Sequence, residues 1–65
     1  MKPYTLNDLK AHHYNPLAYI YYTPTGNKLY LGGLEGSPQD LGYYTVTESH
    51  WVTESGYNIL YIGVK

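Results

Sequence analysis

The sequence predicts a β-rich α+β domain: a short N-terminal helix followed by two β-hairpins that form a four-stranded antiparallel sheet. Three observations predict it. Apolar residues near the start recur at helical spacing. Past Pro16 the period drops from 3.6 to 2. Two groups of turn residues, Pro24-Thr25-Gly26-Asn27 and Ser55-Gly56, each lie between runs of β-forming residues.

The N-terminal element is read over Met1 to Tyr14, with Pro3 before the helix, Thr5 as its N-cap and Asp8 three residues later in a capping box. Leu6, Leu9 and His13 would then share one face of a helix of about two turns, which is marginal unless it docks on something. Asn15-Pro16 ends it, because the residue before a proline is pushed out of the helical region.

The first hairpin pairs Leu17 to Thr23 with Lys28 to Gly33. The simplest register sets Tyr22 opposite Leu29, Tyr21 opposite Tyr30 and Ile20 opposite Leu31. Gly32, Gly33, Gly36, Pro38 and Gly42 make the following stretch the main loop. The next strand is read over Gly42 to Thr53 and the last over Tyr57 to Val64. Pairing Glu54 with Tyr57 sets Trp51 opposite Leu60 and Val52 opposite Ile59. The tetrapeptide Val-Thr-Glu-Ser occurs twice, from Val46 and from Val52, a spacing too short for a repeat unit and read as strand composition.

The strands do not alternate cleanly between apolar and polar. Leu17, Tyr19 and Tyr21 face one way and Ala18, Ile20 and Tyr22 the other, while Ile59 and Tyr61 oppose Leu60, Ile62 and Val64. One short helix covers part of one face, so the surplus must meet something else. Either the sheet curls into a small barrel or sandwich, or one face is an interface with a partner protein or a second copy. A third use is stacking on flat ligands such as nucleotides.

Composition narrows the function. Ten of 65 residues are tyrosine and none is phenylalanine, so almost every ring carries a hydroxyl that needs water or a partner, as at contact surfaces. A single domain over residues 1–65 has a small core, and with no cysteine there is no disulfide to support it, which favours a homo-oligomer. Four lysines, no arginine and a net charge of −1 supply no basic footprint, so nucleic acid is disfavoured. No apolar run is long enough for a membrane span or a signal peptide, and the expected location is the cytoplasm.

No constellation specifies a reaction, and neither an enzyme nor a cofactor is expected. His12 and His13 with His50 lack the spacing of a zinc site. Glu48 and His50, two apart on a strand, share a face where a carboxylate orients an imidazole, but so short a chain builds no closed pocket around them. Gly32 to Ser37 matches neither the dinucleotide fingerprint nor the P-loop and reads as a connector.

The expected function is therefore protein binding that modulates or inhibits a partner, as small inhibitors from phages or mobile elements do to host defence systems. The contact pool is Tyr19, Tyr21, Tyr22, Tyr30, Tyr43, Tyr44 and Trp51. The alternative is an oligomer that sequesters a nucleotide-like ligand, with Lys28, Glu48 and His50 as polar anchors beside the glycine loop.

Overall fold

The computed structural model describes residues 3–65. A helix, α1 (Leu6–Lys10), is followed by strands β1 (Leu17–Tyr22) and β2 (Asn27–Gly33). Two 3-10 turns, Leu34–Gly36 and Gln39–Tyr43, then lead to β3 (Val46–Glu54) and β4 (Tyr57–Val64). The start of the N-terminal element, Met1 and Lys2, lies outside the described residues.

The capping box forms as read. Thr5 N–H donates to Asp8 Oδ2 at 2.9 Å, and Thr5 Oγ1 accepts from the Asp8 N–H at 3.4 Å. The helix stops at Lys10, five residues short of Asn15. Residues 11 to 15 include His12, His13, Tyr14 and Asn15, all poorer helix formers than the alanine or leucine that would extend it. Leu6 and Leu9 are buried, whereas His13 is only half-buried.

The four strands form one open mixed sheet rather than the antiparallel one, and it does not close into a barrel. Both hairpins are present, but they join through their inner strands: the order is β2-β1-β4-β3, with β1 and β4 parallel. The two most apolar strands thus take the centre, and the more polar β2 and β3 take the edges.

The second hairpin has the expected register, with Trp51 opposite Leu60, Val52 opposite Ile59 and Glu54 opposite Tyr57. At its turn Ser55 and Gly56 both have positive φ, 50° and 81°, the geometry of a two-residue hairpin turn that matches strand twist. The first hairpin is shifted from the simple register. Ile20 pairs with Tyr30 and Tyr21 with Lys28, leaving Leu29 as the extra residue of a β-bulge. The bulge lets Leu29 and Tyr30 both pack on the core. β3 begins at Val46 rather than Gly42, because Gln39–Tyr43 winds into a 3-10 turn. A second bulge leaves Thr47 unpaired between the Val46–Val64 and Glu48–Gly63 pairs.

The core lies on one side of the sheet. Leu6, Leu9 and Leu34 from the helix and first turn pack with Ala18, Ile20, Leu60, Ile62 and Val64 from the two central strands. Hydrogen bonds tie this layer down: Leu6 N–H to the Tyr44 carbonyl at 3.0 Å, Leu34 N–H to the Pro16 carbonyl at 2.9 Å, and Lys10 Nζ to Ser37 Oγ at 3.2 Å. Neither the helix nor a 3-10 turn contributes a core residue to the opposite face.

Candidate contact surface on the open sheet face

Residues opposite one another in a ladder project to the same side, so the pairing defines what the open face presents. Four in-register rows can be followed. Lys28, Tyr21, Gly63 and Glu48 form the first; Leu31, Tyr19, Tyr61 and His50 the second; Gly33, Leu17, Ile59 and Val52 the third. Tyr57 and Glu54 begin a fourth.

The second row is an aromatic ladder. The Tyr19 and Tyr61 rings stack with centroids 4.8 Å apart and planes inclined by 22°, and His50 stacks on the other side of Tyr61 at 5.7 Å and 25°. Tyr21 joins at 6.0 Å from Tyr19. The Tyr61 hydroxyl donates to Glu54 Oε2 at 3.0 Å, which carries the ring along β4 across the Ile59 row and accounts for the burial of Ile59 outside the main core. A central glycine shapes the first row. A Cβ on Gly63 would stand 2.6 Å from Thr23 Cγ2 and 2.8 Å from Glu48 Cγ, so only glycine lets the Glu48 stem lie across β4 toward Tyr21.

Both ladder carboxylates act on tyrosines. Burial, together with the Glu48 carboxylate that its hydroxyl faces, raises the Tyr21 pKa above the ordinary 10.0. Tyr61 is raised chiefly by its hydrogen bond to Glu54, then by partial desolvation and the charge of that carboxylate. The folded chain therefore holds these two protons more tightly than the unfolded chain does. The stabilisation is complete below the unfolded value and is lost as pH rises through the folded values. Stability should be flat from neutral pH to about 9 and fall above about 10, more steeply than in the Tyr21→Phe/Tyr61→Phe variant. Urea denaturation at a series of pH values checks this, and equal slopes in the two proteins would contradict it.

The residues expected from sequence divide between the two sides. Tyr19 and Tyr21 lie half-buried on the open face, and all three polar anchors, Lys28, Glu48 and His50, are on that face and exposed. Tyr30 and Tyr44 instead pack against the core, and Tyr22 meets Tyr44 edge to face at 6.3 Å. Tyr43 is 79% exposed on the second 3-10 turn. Trp51, paired with Leu60, lies on the helical side, where its ring meets His13 edge-on at 6.2 Å.

Sequence reasoning missed Tyr61, Leu31 and Glu54 as members of the face. For Tyr61 the signal was present, because it alternates with Ile59 away from Leu60 and Ile62. Leu31 was paired with Ile20 in the simple register, and the bulge moves it beside Tyr19.

The anchors do not converge on a point. Lys28 and Glu48 end one row on opposite edge strands, three strand spacings or roughly 14 Å apart. The charged ends of the row are thus spread across the full width of the sheet. The three histidines sit in three separate ring contacts, His12 with Tyr4, His13 with Trp51 and His50 with Tyr61. Among the described residues no group of three or more His, Cys, Asp or Glu is placed to hold a metal ion.

A cleft of about 510 Å³ lies on the helical side, lined by Tyr22, Leu29, Tyr43 and Tyr44 with Asp40 and Lys65. No helix among the described residues is long and apolar enough to cross a membrane. Comparison with protein-family models, curated proteins and solved structures finds no match.

Proposed function

We propose that this chain is a protein-binding module that works by contact, with the open face of its sheet as the contact surface. In this reading it modulates or inhibits a partner protein, as small phage or mobile-element factors do to host defence proteins.

One observation carries the reading. Two parallel central strands place Leu17, Tyr19, Tyr21, Ile59 and Tyr61 on a face that no other element among the described residues covers, whereas parallel strands ordinarily have both faces covered. Rigid tyrosine rings in the middle, with charged groups on the two edge strands, match the apolar centre and polar rim of protein interfaces.

Tyrosine-selective nitration, mapped by mass spectrometry, tests the reading. In the chain held in complex, Tyr19, Tyr21 and Tyr61 should be protected severalfold relative to dilute free chain. Tyr14 and Tyr43, 98% and 79% exposed away from this face, should react equally in both. Protection confined to Tyr14 or Tyr43 would overturn it.

A further inference from the structure

We infer that the occupant of the open face is a second copy of this chain, related by a two-fold axis that runs parallel to the strands between β1 and β4. The inference rests on the reading of that face as a contact surface and makes the protein held there a second copy, which leaves any protein that the chain modulates to be met through the outer surfaces of the dimer.

The open face is self-complementary about this axis. Such an axis keeps each row in place and exchanges its ends, laying β2 of one copy over β3 of the other and β1 over β4. In the first row, Lys28 on β2 then meets Glu48 of the second copy, and Glu48 meets its Lys28. In the second row, Tyr19 meets Tyr61 and Leu31 meets His50. In the third, Leu17 meets Ile59 and Gly33 meets Val52.

The three rows that cross all four strands are thus compatible with their own reverse: opposite charges at the ends of the first, stacked rings at the centre of the second, and aliphatic groups in the third. The strands of the two sheets stay aligned, as in sheet-on-sheet packing, where twist sets the angle near 30°. An axis perpendicular to the strands has no such match. It would lay β3 on β3, setting an edge that carries Glu48 and Glu54 against its copy.

Lys28 strengthens the case. It is exposed at the edge of a face whose centre is aromatic and aliphatic, and no described residue pairs with it. Across the two-fold axis it gains a carboxylate.

Charge reversal tests this directly, with native mass spectrometry and sedimentation equilibrium of the full chain at concentrations on the order of 100 µM. The unaltered chain should be a dimer. Lys28→Glu alone sets Glu against Glu at two symmetric contacts, and Glu48→Lys alone sets Lys against Lys. Each should weaken the dimer roughly tenfold or more. Mixing the two variants creates two Glu–Lys contacts per mixed pair, so a 1:1 heterodimer should form where neither variant associates alone. Lys28 packs on nothing in the core, so loss of folding cannot mimic the Lys28→Glu result.

A monomeric unaltered chain, variants that dimerise as it does, or a mixture no tighter than its components would each overturn the inference. If the chain is monomeric but a different protein protects Tyr19 and Tyr61, the second copy is refuted and the contact surface stands. If it dimerises with those tyrosines unprotected, both fail.

Discussion

Truncating Ile62 to alanine is expected to leave the chain largely unfolded at room temperature. Ile62 is fully buried in central strand β4, opposite the equally buried Ile20, and belongs to the cluster that joins α1 to the sheet. Removing three of its carbons costs the transfer free energy of those atoms plus the cavity they leave, about 2–5 kcal/mol in well-packed cores. A core this small supplies roughly 3–5 kcal/mol in total, so the loss is comparable with the whole stability. Ile62→Val, at about 0.5–1.5 kcal/mol, should lower the thermal midpoint and leave a cooperative transition. Thermal melts followed by circular dichroism check both. A cooperative melt of Ile62→Ala within a few degrees of the parent would show that the core is not where it has been placed.

The opposite face should respond in the opposite way. Tyr19→Thr with Tyr61→Thr removes the central ring stack but keeps residues of high β-propensity on two central strands. The cost to folding should be about 1–2 kcal/mol, chiefly the ring pair, leaving a folded chain with a lower midpoint. The cost to association should be far larger. Two aromatic anchors at the middle of an interface are typically worth about 2 kcal/mol or more each, and allowing for non-additivity the complex should weaken at least about a hundredfold. A residue serving only the fold should show the reverse ratio, as is expected of Ile62.

Local chemistry was legible and long-range pairing was not. The Thr5 and Asp8 cap and the Ser55-Gly56 turn are set by residues within three or four positions, and the second hairpin follows from its turn. Strand order depends on which hairpin edges meet, and no turn specifies that. The information was nevertheless partly present. Leu-Ala-Tyr-Ile-Tyr-Tyr in β1 and Ile-Leu-Tyr-Ile in β4 are the continuous apolar runs of central strands, whereas Thr47, Glu48, Ser49, Thr53 and Glu54 mark β3 as an edge.

The bulge at Leu29 explains why Tyr30 was misplaced and Leu31 was missed. One extra residue reverses the facing of everything beyond it, turning Tyr30 into the core and bringing Leu31 to the open face. Tyr43 and Tyr44 left the expected strand because the chain there winds into a 3-10 turn and caps the core. Tyr19 and Tyr21 kept their facing because strand parity alone decides it. Lys28, Glu48 and His50 were assigned to a ligand pocket and instead lie along one face, since pocket convergence requires a fold-level arrangement that residue types do not encode.

The central claim is that association runs through the open face and not through the helical side. The most direct measurement compares complex formation, by native mass spectrometry at matched concentrations, for the unaltered chain, the Tyr19→Thr/Tyr61→Thr variant and a Tyr43→Thr/Trp51→Thr variant altered on the helical side. The account predicts that the first and third form the complex equally and that the second, though folded, does not. Retention of the complex by the open-face variant, with its loss from the helical-side variant, would contradict it.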